Sequence, residues 1–305
     1  MSNPCSCDAG KQNTQQSRCK NLEQIARRII LVPEYKDDGT KYEWATASLI
    51  TSANMITAMN AADIDDRIFP LGKFEQVEEM RAESDVQEFN SGNIAKVDDG
   101  KREFTGFIPY GDPILVGKIR SWGCQKFGIL IVDKVGNFVY ATDRSTELKV
   151  QPLLVDENSL DVIYVTAKDK EVPGIMIKFK FRNSVDDSLR RMLDANNLDF
   201  DALEDLYSLY DVTSVISSIS TTSFTATLTD DYGLAVQGLE LADFAVYNTT
   251  TLAAVVPSDV TESSAGVYVF TMAAQTIADV LTLTPTRNGE DFSAVVTNTI
   301  TIPTP

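Results

Sequence analysis

The run KFGILIVDKVGNFVY, residues 126–140, decides the fold class of this chain. Its first part, Phe127 to Val132, is an unbroken apolar stretch of strand length, and its last part, Phe138 to Tyr140, is again made of strong β-formers. Turn-forming Asp, Gly and Asn residues lie between the two. This pattern predicts a buried strand, a turn and a second strand.

Other segments of the chain repeat this strand pattern more often than they show a helical one. Further strands are predicted at residues 24–35, 148–155, 162–168 and 175–182. Apolar residues near helical spacing predict a helix over 47–62, and capping and charge patterns predict short helices over 183–193 and 201–210. The sequence therefore predicts a mainly β fold with a few helices, of the α+β class.

The composition changes sharply at about Asp211. Residues 212–305 contain one basic residue, Arg287, against nine acidic ones, and Thr, Ser, Val and Ala dominate. About seven short alternating runs separated by turn residues indicate a β-sandwich of immunoglobulin-like type. We therefore divide the chain into a polar N-terminal arm (1–21), a β-rich assembly body (22–211) and a sandwich domain (212–305).

The charge and the missing histidine exclude several function classes. The formal net charge is −17, so nonspecific binding of nucleic acid through its phosphates is disfavoured, although DNA that passes without sticking is compatible with an acidic wall. Without histidine, catalytic triads of the Ser-His-Asp or Cys-His type are impossible. No phosphate-binding glycine motif and no apolar run of membrane-spanning length occurs. We predict no cofactor, no membrane contact and no enzymatic activity.

The four cysteines do not suggest a disulfide framework. Cys5, Cys7 and Cys19 lie in the polar arm, where a zinc site completed by Asp8 or Cys124 is the alternative to loose thiols. Structural zinc sites favour paired C-x₂₋₄-C motifs, which this chain lacks. We therefore predict thiols on an arm without a metal, and Cys124 as a small buried hydrophobic residue.

Residues 74–108 combine strand alternation with many charges. Turn signals at 90–93 and 98–100 predict an extended hairpin that is too polar to be core on both faces. One interpretation is an exposed loop; the other is an arm that pairs with a neighbouring subunit, because open strand edges are templates for strand addition. A glycosidase pair such as Glu78 with Glu88 is disfavoured, since it needs a cleft lined by aromatic side chains. The residues expected to set the register of a subunit contact are Glu78, Arg81, Glu83, Lys101 and Arg102.

The order of these segments resembles that of a known family. The strand, the helix, the run VEEMRAE (77–83) to VDDGKREF (97–104), and then FGILIV (127–132) with Gly136-Asn137 resemble the tail tube proteins of long-tailed bacteriophages. The resemblance implies a tail-tube-like β-sandwich or barrel body that stacks in rings, a hairpin that reaches the next ring, and an immunoglobulin-like C-terminal domain outside the tube.

The same resemblance implies a virion structural protein whose partners are its own copies and other tail proteins. Double-stranded DNA would pass through the lumen during genome ejection without specific binding, and the tail would be assembled in the host cytoplasm. Another virion component, such as a head decoration, neck or fibre-base protein, remains an alternative. A carbohydrate-binding module is disfavoured because residues 212–305 contain no Trp and only three Tyr: Tyr232, Tyr247 and Tyr268.

Overall fold

The computed structural model describes residues 23–303 except positions 62, 92, 99, 144, 146–147, 170–171, 186, 207–209, 231, 286–291 and 294–297. The predicted N-terminal arm, with Cys5, Cys7 and Cys19, therefore lies outside the described residues. The chain divides into two compact units, Met1–Leu206 and Tyr207–Pro305. The described part is mainly β with a few helices, which confirms the predicted fold class.

The described part of the first unit contains eleven strands and two α-helices. The strands are β1 Ala26–Pro33, β2 Phe69–Pro70, β3 Gln76–Arg81, β4 Asp85–Glu88, β5 Ile94–Asp98, β6 Arg102–Pro109, β7 Phe127–Asp133, β8 Phe138–Ala141, β9 Leu153–Val165, β10 Gly174–Phe181 and β11 Arg190–Leu193. The helices are α1 Ser52–Met59 and α2 Pro113–Ser121, and short 3₁₀ turns lie at Ala47–Leu49, Ile64–Asp66, Trp122–Cys124, Asp187–Leu189 and Ala195–Asn197.

One nine-stranded sheet forms the body of the first unit, in the order β11-β8-β7-β9-β10-β6-β3, with β1 and then β2 attached through β7, while β4 and β5 form a sheet of their own. The segment that leads from β2 to β3 also bonds to β1, since the amide of Leu71 donates to the Ile29 carbonyl (2.9 Å) and that of Phe74 to the Arg27 carbonyl (2.7 Å). These bonds join the β1 side of the sheet to the β3 side, so the sheet curls into a barrel-like body.

The core of this body is built from one strand that is buried on both faces and from strands that bury alternate residues. Strand β7 is buried along its whole length, as its unbroken apolar sequence predicts. Strands β6 and β10 alternate, with Phe104 and Phe179 stacked inside at 4.9 Å between ring centroids. Phe74 packs edge-on against Phe104, and Phe181 against Phe179. This aromatic row holds the inner face of the sheet that carries β3.

The structure corrects four predictions within the first unit. The predicted helix over 183–193 is a 3₁₀ turn followed by strand β11, and residues 201–206 form turns rather than a helix. The predicted helix over 47–62 is shorter, because the described helix runs only from Ser52 to Met59. Cys124 is exposed rather than buried, since it ends the 3₁₀ turn after α2 instead of entering β7.

The second unit is a β-sandwich. Its described strands are β12 Tyr210–Ser217, β13 Ser223–Asp230, β14 Phe244–Asn248, β15 Ala253–Val255, β16 Asp259–Ser264, β17 Val267–Thr271, β18 Val280–Pro285, β19 Phe292–Ser293 and β20 Asn298–Thr301, with a 3₁₀ turn at Leu241–Asp243. One sheet has the order β16-β17-β13-β12-β19 and the other β15-β14-β18-β20.

The two sheets enclose one core in which Phe244 of one sheet contacts Tyr268 and Phe270 of the other. The first strand, β12, pairs antiparallel with β13 and parallel with the late strand β19. By their order in the chain, β12, β13, β17 and β16 correspond to strands A, B, E and D of the immunoglobulin fold, and β14, β18 and β20 correspond to strands C, F and G.

Candidate assembly interface

The predicted hairpin consists of two separate ladders. At its base, β3 pairs with β6 from Gln76 opposite Phe107 to Arg81 opposite Arg102. Beyond this ladder, β4 pairs with β5 as a two-stranded sheet that joins no other strand among the described residues. We call the first ladder the hairpin base and the second, with its connecting turn (residues 85–98), the hairpin tip.

A close backbone contact separates base and tip. The Ala82 amide donates to the Lys101 carbonyl at 2.9 Å, and Gly100 lies directly against this pair. A Cβ atom on Gly100 would come within 1.9 Å of the Ala82 carbonyl oxygen, so only glycine fits at this position. The hairpin therefore has a fixed narrow point between its two ladders.

The hairpin base is completed inside its own unit, which corrects part of the prediction. Strand β6 pairs with β10 along seven residue pairs as well as with β3. The inner side chains Val77 and Phe104 join the core, so this half of the hairpin needs no neighbouring subunit to be stable. The need for a partner that the sequence suggested is restricted to the tip.

Three of the five predicted register residues make ion pairs within the chain. Arg81 lies 3.3 Å from Asp187, Lys101 lies 3.1 Å from Asp156, and Arg102 bridges Glu79 at 2.8 Å and Asp187 at 3.1 Å. Their charges are thus already compensated.

The two acidic members differ from the basic ones. Glu78 on β3 and Glu83 beyond it are exposed, and neither makes an ion pair with the described residues. The role of these five residues between subunits stays a prediction. Because only the two glutamates have no ion pair with the described residues, their charges are the ones that could pair with a neighbouring subunit.

Sequence reasoning missed the centre of this charge cluster. Arg190 of β11 contacts Glu79 of β3 and also Glu23, which precedes β1. The side chains of Arg190 and Glu79 are only 10% and 14% exposed, so this pair is buried at the edge of the barrel. The sequence predicted a helix over 183–193, in which the charge of Arg190 would interact favourably with the helix dipole. This interpretation gave no reason to expect an ion pair between Arg190 and Glu79.

The pKa values of Glu79 and Glu23 are shifted in opposite directions. Burial acts to raise the pKa of Glu79, but the hydrogen bonds and charges of Arg190 and Arg102 outweigh burial and hold the pKa below its ordinary value. Burial also raises the pKa of Glu23, and Arg190 offsets that effect only in part. Glu79 is therefore the firmly ionised member of the cluster and Glu23 the weakly held one.

The hairpin tip exposes large apolar side chains. Val86 is 61% exposed, Ile94 is 67% exposed, and Phe89, which directly follows the first strand of the tip, is 46% exposed. Isolated two-stranded ribbons are marginal in water, and exposed apolar groups on one indicate a binding contact. The signal is present in the sequence, as the large apolar residues Val86, Phe89, Ile94 and Val97 in a strongly polar segment.

Other clusters of functional side chains are less informative. The carboxylates of Asp37, Asp63 and Asp65 lie within 4.8 Å of one another, but all three are exposed, and exposed acidic groups commonly gather without an ion. In the second unit Tyr268 is buried and bonded to the Val236 carbonyl, whereas Tyr232 and Tyr247 are exposed on separate elements. Among the described residues, neither α-helix has the length and apolar character that crossing a membrane requires.

No protein-family model and no curated protein matches this chain. Among solved structures, the N-terminal part of the bacterial S-layer protein SbsC is similar, with 23% identity and a TM-score of 0.26. The match covers 32% of this chain and 24% of that chain, so it spans about a quarter of the S-layer fragment. A likeness of this size carries no argument about fold or function.

Proposed function

We propose that this chain is a structural subunit of a bacteriophage tail tube, which polymerises into stacked rings around a lumen for double-stranded DNA. The hairpin tip is the observation that carries the proposal. It is a two-stranded sheet joined to no other strand of the described chain, and it exposes Val86, Phe89 and Ile94. A copy of the same protein is the partner that a self-assembling subunit always meets.

The composition supports the same proposal. A net charge of −17 gives passing phosphates few cations to bind, which suits a conduit for DNA. A function based on assembly needs no catalytic group, in keeping with a chain that has no histidine. The immunoglobulin-like unit fits the resemblance to tail tube proteins that display such a domain on the outside.

Negative-stain electron microscopy of the purified protein tests the proposal. We expect hollow filaments of uniform width. Discrete rings that never stack, or monomers at all concentrations, would favour the other virion roles, namely head decoration, neck or fibre-base protein.

A pair of matched substitutions tests the part played by the tip. Ile94→Asp should abolish filaments while the circular dichroism spectrum stays unchanged, because a charge placed in an apolar contact is not compensated. Leu148→Asp is the control, since Leu148 is 64% exposed and belongs to the same unit but not to the hairpin. Equal filament yields from both variants would show that the tip is an exposed loop that takes no part in assembly.

A further inference from the structure

The outer edge of β3 is an open strand edge. The bond from the Ala82 amide to the Lys101 carbonyl fixes which residues of β3 bond to β6. Since antiparallel pairs alternate, the backbone groups of Val77, Glu79 and Arg81 point away from β6. In the described part of the chain no strand pairs with them, and open edges of this kind are normally covered or blocked.

A groove of about 480 Å³ runs beside this edge. Its lining comes from residues 23–26 on one side and from residues 77–79 with Arg102 on the other. Arg102 presents a buried Nε–H that has no acceptor among the described residues.

The groove is acidic. Glu23, Glu78 and Glu79 line it together with Arg102, and Arg190 of β11 pairs with Glu23 and Glu79, so one carboxylate is in excess. Residues 1–22 have the opposite balance, with Lys11, Arg18 and Lys20 against Asp8, in a chain whose total charge is −17. The segment next to the groove in sequence is therefore complementary to it in charge.

The position of this segment also fits. Glu23, the first described residue, is itself part of the groove lining, so the segment of residues 1–22 is joined to the chain at the groove. Twenty-two residues extend to about 70 Å, whereas the six residues of β3 need about 20 Å. The segment is long enough to enter the groove after a turn, and the loop to be closed is short.

We propose that residues 1–22 of the chain bind in this groove as an added strand and cover the open edge of β3 until another surface replaces them. The occupant is a basic, extended segment held by backbone hydrogen bonds and by attraction to the groove carboxylates. This inference concerns the unassembled subunit and does not depend on the tail tube proposal.

Amide hydrogen exchange on the unassembled chain tests it. Removing residues 1–22 should speed exchange within residues 76–81 at least tenfold, while exchange within the inner strand β6 stays unchanged and reports an intact fold. A synthetic peptide of residues 1–22 should restore protection, and less so as sodium chloride is added. Unchanged exchange on removal would overturn the proposal.

Charge reversal provides a matched pair of variants. Glu78→Lys should speed exchange within residues 76–81 in the full chain, because it places a cation in the groove. Glu83→Lys makes the same change at an exposed glutamate outside the groove lining and should have no effect. Equal effects from both would mean that the groove carboxylates do not attract the segment.

Disulfide trapping identifies whose segment binds. With Cys5, Cys7 and Cys124 replaced by Ser, Cys19 should form an intramolecular disulfide with Glu78→Cys under mild oxidation, and not with Lys178→Cys on β10. A disulfide only between two copies would overturn the assignment to the chain's own segment, even if exchange behaves as expected.

Discussion

At the scale of single residues, the pair Glu79–Arg190 shows why a buried charge can persist at the edge of this sheet. Arg190 Nη2 also lies 3.2 Å from the second Glu79 oxygen, so the contact is a two-point one, and Arg102 adds a third bond. Bidentate charge-assisted bonds of this kind offset the loss of hydration that burial imposes. The pair joins β3 to β11, two strands at opposite ends of the sheet order.

We expect Glu79→Gln to destabilise the first unit by about 1.5–3 kcal/mol at pH 7, as the loss of hydrogen bonds between charged groups does. The measurement is urea unfolding followed by fluorescence of the two tryptophans, both of which lie in the first unit. Glu75→Gln is the control, because Glu75 pairs with Arg27 on the surface and its side chain is 52% exposed. A midpoint for Glu79→Gln equal to that of the control would contradict a structural part for the buried pair.

The pH dependence of stability should differ in sign between Glu79 and Glu23. The pKa of Glu79 is lowered on folding, so its stabilisation is present above the pKa of the unfolded chain and disappears as the pH falls through the folded value. The pKa of Glu23 is raised, so ionised Glu23 destabilises the fold at neutral pH, and this penalty disappears on acidification.

Glu23→Gln should therefore leave the protein as stable as the parent at pH 7, or more stable, and this difference should shrink towards zero below the ordinary glutamate pKa. Glu79→Gln should show its largest loss at pH 7 and a vanishing loss in acid. Unfolding midpoints measured from pH 3 to pH 8 check both. A loss for Glu23→Gln that grows with pH would show that Arg190 outweighs burial at this glutamate.

At the scale of elements, the two glycines Gly100 and Gly117 differ in the space around them. Gly100 has no room for a side chain, whereas Gly117 has open space. Gly100→Ala should disorder the narrow point of the hairpin, since its Cβ would meet the Ala82 carbonyl. Gly117→Ala in α2 has open space around the new methyl group and should stabilise the protein by about 0.5–1 kcal/mol.

Thermal unfolding and filament counts distinguish the two glycines. Gly117→Ala should raise the unfolding midpoint and leave assembly unchanged. Gly100→Ala should reduce assembly, because the new methyl group disrupts the backbone contact that fixes the position of the tip relative to the base. Intact assembly of Gly100→Ala would mean that the connection between base and tip adapts freely.

Elements with a single strong local pattern could be predicted from the sequence, and elements decided by distant contacts could not. Strands β7 and β8 were predicted because an apolar run, a turn and β-formers follow in order, and they are confirmed. Residues 190–193 look helical locally, yet they pair with β8 over four residues and so become a strand.

Helix α2 was missed although its N-terminal signals were present. Asp112 caps it by accepting from the amides of Ile114 and Leu115, and Pro113 occupies its first turn. Gly117 in its middle weakens the helical pattern, and packing of Val116 and Ile119 into the core makes up for that loss. The hairpin was predicted as one element, because sequence alternation does not show the close contact at Gly100 that divides it.

At the scale of the whole molecule, the change in composition and the change in structure fall close together. The sequence indicated a boundary at Asp211, and the chain divides between Leu206 and Tyr207. Strand β12 starts at Tyr210 and pairs with β19 through Tyr210 and Asp211, so these two residues belong to the sandwich. Composition could not show this, because the first strand of the sandwich begins before the acidic, Thr-rich segment does.

The boundary between Leu206 and Tyr207 allows the two units to be produced separately. A protein ending at residue 209 should fold and still assemble into filaments, because it keeps the barrel-like body, the hairpin and Leu206, whose carbonyl accepts from the buried Arg28. Residues 210–305 alone should unfold cooperatively as a separate domain. Residues 218–305 are the matched control and should not fold, because they lack β12, which lies between β13 and β19 and contributes Val212 to the core. Circular dichroism and negative-stain microscopy give the result for each. A folded protein ending at residue 209 that forms no filaments would show that the sandwich takes part in assembly rather than decorating its surface.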